Sequence, residues 1–292
     1  MNLIIKLSQA NIELSKQEAL NLIGFPKHKL RKNFLFVQTK NISNSIKQLK
    51  KSAFSKALYQ PNKIPSKGSI RITKVTIEKT PKLAQGVNLI KHLHVDLKNP
   101  DYELCLLGFK KTLVALKIWE NKERFEDRLP HKRPSSHPTT IHPRLARAMI
   151  NLAEGQKVVD PFCGTGGILI EGVLTGKTMT GIDVDPLMLE RVKKNLKYLN
   201  LKCEVILADS TSLKLKDAIV TDIPYGKSSK ITKTQRELVS WLFKQQSKEI
   251  VLCTNKEVRA GTGFRKKHHF KIRIHKSMTR HIYKFQSSFI LE

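Results

Sequence analysis

The chain has 292 residues, 40% of them hydrophobic, a length and composition that predict about two folded domains and exclude disorder along its whole length. It carries 54 Lys and Arg residues against 24 Asp and Glu residues, a formal net charge of +30 that favours a polyanionic partner. The sequence has no apolar run near the roughly 20 residues that cross a bilayer, no signal-peptide pattern, and no CxxC pair among its 4 cysteines. We therefore expect a cytoplasmic protein without disulfides and without a bound metal.

The positive charge is unevenly distributed along the chain. Residues 1–120 hold 22 basic and 7 acidic side chains, and residues 251–292 hold 10 and 2. Residues 151–250 are nearly neutral, with 15 basic and 12 acidic side chains. A general enrichment in lysine would not leave such a neutral block, so we expect the polyanion to contact the two ends of the chain.

The first third of the chain has the pattern of a mixed α+β region. We predict its elements in chain order as a strand at 3–7, a helix at 13–22, a strand at 34–38, a helix at 46–58, and extended runs at 69–77 and 102–109. Residues 119–137 follow and are rich in charge and proline, which disfavours a helix. The sequence therefore predicts an N-terminal region over 1–118, a linker over 119–137 and a second domain over 138–292.

From residue 157 onward, short β-rich runs alternate with amphipathic stretches, which is typical of βα units and a parallel sheet. We predict strands at 157–160, 178–183, 203–207, 218–222 and 249–253. Helices are predicted between them at 167–174, 187–198 and 234–246. Two further extended runs, 270–275 and 281–290, indicate a closing antiparallel hairpin. The predicted fold class of this half is α/β, a doubly wound sheet.

A glycine-rich turn, VVDPFCGTGG over 158–167, follows the first of these strands and opens a helix. Glycine at 164 and 166 allows positive φ and lets a ligand approach the backbone at the sheet edge. The turn does not fit the dinucleotide pattern GxGxxG, because its third glycine would fall at Leu169, and no Lys-Ser/Thr pair of a P-loop follows. We therefore expect a ligand other than NAD or ATP.

One acidic residue follows each of the first three strands: Asp160, Asp183 and Asp209. Each of them alone could be a helix N-cap. Together with the glycine turn they match the needs of S-adenosylmethionine, whose ammonium, ribose and adenine amine all require hydrogen-bond acceptors. The predicted cofactor-binding residues are Asp160, Phe162, Cys163, Gly164, Thr165, Gly166, Asp183, Val184, Asp209 and Ser210.

The fourth strand ends in TDIPYG over 221–226. This resembles the [Asp/Asn/Ser]-Pro-Pro-[aromatic] tetrapeptide of methyltransferases that act on exocyclic amino nitrogens. The lone pair of such an amine is delocalised into the base, so a site must hold its N–H groups with acceptors and stack the base on an aromatic ring. We predict Asp222, Pro224 and Tyr225 as the catalytic residues, with the carbonyl of residue 223 as a second acceptor. A plain β-turn at the strand end is the alternative interpretation.

The order of these motifs, DPFCGTGG, GIDVD, AD and TDxPYG, is similar to that of the archaeal and eukaryotic tRNA (guanine-N2) methyltransferases that carry a THUMP domain. HKRP at 131–134 and HKSMTR at 275–280 also resemble segments of that family. The resemblance implies a class I Rossmann-like methyltransferase sheet with a C-terminal antiparallel hairpin, preceded by an α+β region made of a ferredoxin-like unit and a THUMP RNA-binding part. It also implies S-adenosylmethionine as cofactor, tRNA as partner, and methylation of a guanosine N2 amine at tRNA position 10. Arg133, Lys227 and Arg280 are the predicted RNA-binding residues.

Two alternatives remain open at the level of sequence. An amino-methyltransferase acting on DNA or rRNA would use the same tetrapeptide, and a tRNA-binding protein without catalysis would explain why Ile223 stands where the family has proline. The carbonyl of Ile223 remains as an acceptor, so we expect activity to be retained and proline at 223 to be tolerated or to raise it. The sequence leaves open the number of methyl groups added, the tRNAs chosen, the oligomeric state and the need for a small activator subunit.

Overall fold

The structure is a computed structural model that describes residues 2–82, 90–138, 140–224, 233–275 and 278–288. The chain separates into two compact units, Met1–Lys122 and Glu123–Glu292. The boundary between them falls within the segment that the sequence predicts as a linker. None of the helices in the described ranges has both the length and the apolar composition needed to span a membrane.

The first unit begins with six elements in the order βαββαβ: β1 (Asn2–Leu7), α1 (Ile12–Ile23), β2 (His28–Arg31), β3 (Phe34–Gln38), α2 (Ile42–Leu49) and β4 (Ser55–Pro61). Their strands lie in the order β2-β3-β1-β4, and neighbouring strands are antiparallel. This is the ferredoxin-like arrangement, so that part of the prediction is confirmed. Four further strands, β5 (Ser69–Thr76), β6 (His94–Val95), β7 (Tyr102–Gly108) and β8 (Thr112–Glu120), continue the same sheet in the order β4-β8-β7-β5-β6.

The predicted helix at 46–58 is wrong in its second half. α2 ends at Leu49, and residues 55–61 form β4 between β1 and β8. The cause is a set of hydrogen bonds between residues 52–54 and Glu18, a buried carboxylate that is distant in sequence. That carboxylate accepts hydrogen bonds from Ser52 Oγ (2.8 Å) and from the backbone N–H groups of Ala53 (2.7 Å) and Phe54 (2.9 Å). These bonds satisfy the backbone in a turn after α2, and β4 follows that turn.

The second unit contains α3 (Pro143–Leu152), β9 (Lys157–Asp160), α4 (Gly167–Leu174), β10 (Thr178–Asp183), α5 (Pro186–Tyr198), β11 (Glu204–Leu207), β12 (Ala218–Asp222), α6 (Gln235–Leu242), β13 (Glu249–Thr254), β14 (Phe264–His275) and β15 (Met278–Ser287). Its strands lie in the order β11-β10-β9-β12-β13-β15-β14. The first five are parallel, and β15 is antiparallel to both β13 and β14. This confirms the predicted doubly wound, Rossmann-like sheet with a C-terminal antiparallel hairpin. The strand order reverses between β9 and β12, the point at which such sheets form a ligand crevice at their carboxyl ends.

A buried core joins the central strands of this sheet to α6. Val159, Ile219, Ile250 and Tyr283 lie in one apolar cluster with Leu242 of α6, and all are at most 3% exposed. Strands buried on both faces are near-continuous apolar runs in sequence. The apolar runs in the sequence therefore predict the positions of these strands well.

A buried ion-pair network fixes the start of the second unit. Glu171 of α4 is 1% exposed and contacts Arg128 Nε at 2.9 Å and Arg147 Nη2 at 2.7 Å. The guanidinium groups of both arginines also lie over the ring of Phe125, 5.2 and 5.5 Å from its centroid. The short helical turn Phe125–Arg128 is therefore held against α4.

Candidate active site

The carboxyl edge of the second sheet collects three of the predicted acidic residues. Asp160 ends β9 and lies opposite Gly181 of β10, and Asp183 ends β10. Asp222 ends β12, the strand next to β9 on the other side of the reversal in strand order. The structure thus brings these carboxylates to one edge of the sheet.

The glycine-rich turn contains two residues with positive φ, Gly164 (+50°) and Gly166 (+84°). A Cβ at Gly166 would lie 2.4 Å from Val192 Cγ2, so only glycine lets α5 pack against the turn. A Cβ at Gly164 would meet no described atom within 4 Å. The backbone N–H of Gly164 donates to Asp183 Oδ2 at 2.9 Å, which ties the turn to the end of β10. A ligand can therefore approach the backbone at Gly164.

Asp160 is buried at the start of this turn, with 2% of its surface exposed. Its Oδ1 accepts hydrogen bonds from Thr221 Oγ1 at 2.7 Å and from the backbone N–H of Phe162 at 3.2 Å. Burial raises the pKa of the Asp160 carboxyl to about 7, although these hydrogen bonds act in the opposite direction. Asp160 therefore connects β9, β12 and the glycine turn.

Asp183 accepts hydrogen bonds on both carboxylate oxygens. Oδ1 accepts the backbone N–H of Asp185 and Oδ2 that of Gly164, each at 2.9 Å. Burial raises the pKa of this carboxyl above its ordinary value. The backbone N–H of Val184 is a third donor to this carboxylate. A carboxylate has about four lone-pair positions, so Asp183 can still accept a hydrogen bond from a ligand hydroxyl. Val184, the next residue, is 40% exposed and gives the same edge an apolar surface.

Asp209 and Ser210 form a turn after β11. Asp209 Oδ1 accepts hydrogen bonds from Thr211 Oγ1 at 2.7 Å and from its backbone N–H at 2.9 Å, and these bonds lower the pKa of the carboxyl. Its Oδ2 lies 3.4 Å from Lys233 Nζ. Ser210 is buried, and its hydroxyl donates to the carbonyl of Pro161 in the glycine turn. Asp209 therefore caps the N-terminus of the short helical turn Ser210–Ser212. Ser210 connects this turn to the glycine-rich turn.

Three other residues of the glycine turn are fixed by packing and hydrogen bonds. The ring of Phe162 packs edge to face on Trp241 of α6, with centroids 5.9 Å apart. Cys163 is buried, and burial raises the pKa of its thiol well above the ordinary range, which makes it a packing residue rather than a nucleophile. Thr165 is buried with its Oγ1 2.9 Å from Thr140 Oγ1.

Asn195 of α5 also supports the turn, although the sequence does not predict it. It is fully buried, and its Nδ2 donates to the carbonyls of Thr165 at 2.9 Å and Ser135 at 2.8 Å. Its Oδ1 accepts the backbone N–H of Ser135 at 3.0 Å. The available signal was an amide on the apolar helix face that carries Val192 and Leu196. Asn195 therefore holds the segment around Ser135 next to the glycine turn.

Asp222 ends β12 with its two oxygens in different environments. Oδ2 lies 3.0 Å from Arg280 Nη1. Oδ1 is buried and has no hydrogen-bond partner among the described residues. Burial raises the pKa of this carboxyl to about 6, while the positive charge of Arg280 acts in the opposite direction. Buried polar atoms are almost always paired, so this oxygen marks a place where a ligand donor is expected.

The residues after Asp222 continue into the core. Ile223 is fully buried, and its backbone N–H donates to the carbonyl of Cys253 at 3.0 Å. Packing thus explains why a large aliphatic residue occupies this position. Pro224 follows and is half-buried. Tyr225 and Lys227, predicted for base stacking and RNA binding, lie outside the described residues.

The other two predicted RNA-binding residues lie inside the second unit. Arg133 and Arg280 are each 7% exposed. Arg133 Nε donates to the carbonyl of Arg128 at 3.1 Å, and Arg280 pairs with Asp222. Their guanidinium groups therefore have little surface to offer a phosphate.

The strand order, the glycine turn and the acids at the carboxyl edge define a Rossmann-like methyltransferase domain. Comparison with known families agrees with this class. The chain belongs to the family described as RMKL-like, methyltransferase domain, whose pattern matches residues 130–289. More than half of the chain lies within that match.

Known relatives extend the comparison. The chain is 37% identical over 208 residues to the tRNA (guanine(10)-N2)-dimethyltransferase of Methanothermobacter thermautotrophicus, covering 64% of this chain and 62% of that protein. It is 31% identical over 225 residues to the protein of the same name from Pyrococcus abyssi, covering 71% of this chain and 68% of that protein. The matches thus span about two thirds of these relatives. The crystal structure of TrmN from Thermus thermophilus shares the fold, with a TM-score of 0.53 and 15% identity over 98% of this chain and 100% of that chain.

S-adenosylmethionine is the cofactor of this methyltransferase family, and the residues at the sheet edge fit it. Gly164 leaves the backbone of the turn accessible, Asp183 is a carboxylate acceptor that would suit ribose hydroxyls, and the exposed Val184 is an apolar surface that would suit the adenine ring. Across the described ranges, no group of three His, Cys, Asp or Glu side chains is arranged to hold a metal ion.

Proposed function

We propose that this protein transfers a methyl group from S-adenosylmethionine to the exocyclic N2 amine of a guanosine in tRNA. The observation that carries the proposal is the end of β12, where the buried Asp222 Oδ1 has no partner among the described residues. An exocyclic amine offers two N–H donors, and a carboxylate oxygen beside a backbone carbonyl is a matching pair of acceptors. The relatives named as tRNA guanine-N2 dimethyltransferases support this nucleotide and this RNA as the target.

Asp222 acts on the amine in two ways in this proposal. Its Oδ1 accepts an N–H bond and orients the nitrogen for attack. As the nitrogen bonds to the methyl carbon, the same carboxylate takes up the proton that the amine releases. When bound, S-adenosylmethionine would supply the electrophilic methyl group, whose bond to the sulfonium sulfur breaks as the bond to nitrogen forms, so that a neutral thioether leaves. The Ile223 carbonyl serves as the second acceptor, and Tyr225 is proposed, from the sequence motif, to stack on the base.

We further propose residues 1–118 as an RNA-binding region of the THUMP type, 119–137 as a linker and 138–292 as the methyltransferase domain. Residues 1–120 hold 22 basic and 7 acidic side chains, and phosphate contacts dominate affinity for nucleic acids. A region that binds one part of a tRNA raises the effective concentration of a particular guanosine at the catalytic edge. The names of the relatives support position 10 as that guanosine.

Nucleoside mass spectrometry tests this proposal. Purified protein is incubated with S-adenosylmethionine and, in separate reactions, with unmodified tRNA, rRNA or duplex DNA. We expect N2-methylated guanosine in the tRNA reaction alone. Methylated adenine or cytosine in the DNA reaction would instead identify a DNA amino-methyltransferase, and cofactor binding without any product would identify a non-catalytic RNA-binding protein.

A further inference from the structure

Arg280 lies on β15, two strands away from Asp222 on β12. β13 runs between them, and its Cys253 is in register with Asp222 on one side and Ile282 of β15 on the other. Arg280 Nη1 reaches to 3.0 Å from Asp222 Oδ2, and the two side chains are 8% and 13% exposed. The contact is therefore a largely buried ion pair that links the central strands to the C-terminal hairpin.

The ion pair makes the two oxygens of Asp222 unequal. Oδ2 faces Arg280, whereas Oδ1 is buried with no partner among the described residues. The terminal torsion of an aspartate is soft, so an unpaired carboxylate could exchange its two oxygens by rotation. A charge-assisted hydrogen bond is roughly twice as strong as a neutral one and opposes that rotation. The pair therefore fixes which oxygen is left to accept a donor.

Groups from three strands act on this carboxylate. Asp160 of β9 adds negative charge, the Cys253 thiol of β13 lies against both partners of the pair, and Arg280 of β15 adds positive charge. Burial raises the pKa of Asp222 to about 6, and Arg280 is the main group that opposes this rise. Without Arg280, burial would favour a protonated carboxyl at neutral pH, and a protonated carboxyl is a poorer acceptor.

We infer that Arg280 is a positioning residue for methyl transfer, which keeps Asp222 ionised and leaves Oδ1 free to accept an N–H of the target amine. The inference rests on the proposed function. It gives Arg280 a role in the rate of transfer rather than in binding RNA at the surface.

The test compares Arg280→Met and Arg280→Lys in the full chain with Arg236→Met, a matched control that is exposed on α6. For Arg280→Met we expect kcat on tRNA to fall about tenfold or more near neutral pH, with KM for tRNA within about threefold of wild type. The loss should shrink at higher pH, because the acidic limb of the kcat profile moves upward by about two pH units, the shift that a tenfold loss of ionised Asp222 near neutral pH requires. Arg280→Lys should keep that limb near its wild-type position, and Arg236→Met should keep kcat within about twofold.

Two kinetic outcomes would overturn the inference. A raised KM for tRNA with unchanged kcat would make Arg280 an RNA contact. A loss of kcat that is the same at every pH, together with no recovery when methylguanidinium is added to Arg280→Ala, would make it a structural residue.

A titration of Asp222 by isotope-edited NMR separates this inference from the proposed function, because it needs no RNA. We expect Asp222 to titrate at higher pH in Arg280→Met than in wild type, with Arg280→Lys between them. If wild type makes no N2-methylguanosine but this shift is present, the proposed function fails and the coupling between the two residues stands. An unchanged titration of Asp222 in both variants would overturn the inference even if wild type is active.

Discussion

At the scale of single residues, burial and hydrogen bonding give the acids of the second unit different properties. Burial raises the pKa of Asp160 to about 7 and that of Asp222 to about 6, whereas hydrogen bonds from Thr211 lower the pKa of Asp209. Asp183 is half-buried and can still accept a hydrogen bond from a ligand. The proposed chemistry depends on this difference, since Asp222 must exchange a proton and Asp183 must remain an acceptor.

The rate of transfer is expected to follow the ionisation of Asp222. Its pKa is about 6, so the carboxylate is lost as pH falls through that value and kcat should fall with it. The same shift has the opposite sign for stability: a carboxyl whose folded pKa lies above its ordinary value of 3.8 lowers stability as pH rises between the two values. The measurement is kcat at saturating cofactor on both sides of this pKa. A rate independent of pH would contradict the role of Asp222.

Asp183→Ala is expected to weaken binding of S-adenosylmethionine. A hydrogen bond to a charged acceptor contributes roughly 1.5–3 kcal/mol, so the dissociation constant should rise about 10- to 150-fold. Calorimetry measures this directly, with Asp217→Ala as the control because Asp217 is exposed just before β12. An unchanged dissociation constant for Asp183→Ala would rule out the ribose contact.

The structure changes the expectation for proline at position 223. Proline has no N–H, so Ile223→Pro removes the hydrogen bond to the Cys253 carbonyl at 3.0 Å and deletes fully buried apolar surface. An unpaired buried acceptor costs about 1–3 kcal/mol, so thermal unfolding should show a lower midpoint. Ile223→Val, which keeps the N–H, is the control. A proline variant as stable as wild type would show that the chain leaves β12 differently.

Residues next to predicted strands could be located from the sequence, and residues defined by distant contacts could not. Asp160, Asp183 and Asp222 each end a strand that the apolar pattern predicts, so their place at the sheet edge follows from the parallel fold. Asn195 and Arg280 act through partners in other segments of the chain. No local pattern encodes such a partner, and Arg280 in particular looks like a surface cation in a basic sequence.

At the scale of elements, β14 is the edge strand of the second sheet and is strongly basic. Its sequence FRKKHHFKIRIH contains no acidic residue, and Arg265, Lys266, Lys267 and Arg273 are exposed. Lysines on an edge strand discourage pairing with another sheet, and their charge also favours phosphate. The strand therefore suits contact with the RNA backbone.

Replacing Lys266 and Lys267 together by alanine is expected to lower affinity for tRNA. Each lost phosphate contact reduces the slope of log affinity against log salt by about 0.7 to 0.9. Binding measured across a salt series tests this, with Lys193→Ala/Lys197→Ala on the exposed side of α5 as the matched control. A slope that falls in the control but not in the β14 variant would contradict the expected contact between β14 and the RNA backbone.

Elements held by local apolar patterns were predictable, and elements set by tertiary contacts were not. The parallel strands from β9 to β13 match their predicted bounds closely, because buried runs between turns are strong signals. Residues 55–58, the first part of β4, fall in the predicted helix, because the hydrogen bonds to Glu18 that form the turn before β4 come from a distant part of the sequence. Similarly, α6 ends at Leu242, four residues before the predicted end.

At the scale of the whole molecule, charge and chemistry are separated along the sequence. Residues 151–250 hold the acids of the catalytic edge and are nearly neutral, while residues 1–120 and 251–292 carry most of the excess positive charge. A polyanionic substrate would be attracted by the basic ends, and the neutral centre would hold a cationic cofactor without competing for phosphate. This division agrees with the proposed function, in which tRNA contacts the basic regions and the cofactor binds in the nearly neutral one.

Product formation by Asp222→Asn tests the proposed function most directly. The substitution keeps the size of the side chain but removes the charge that accepts the amine proton, so N2-methylguanosine formation in tRNA should fall about 10²- to 10⁴-fold. Asp217→Asn, an exposed change just before the same strand, should match wild type, and both variants should bind S-adenosylmethionine within about threefold of it. Wild-type product yield from Asp222→Asn, measured by nucleoside mass spectrometry at saturating cofactor, would contradict the central role given to this residue.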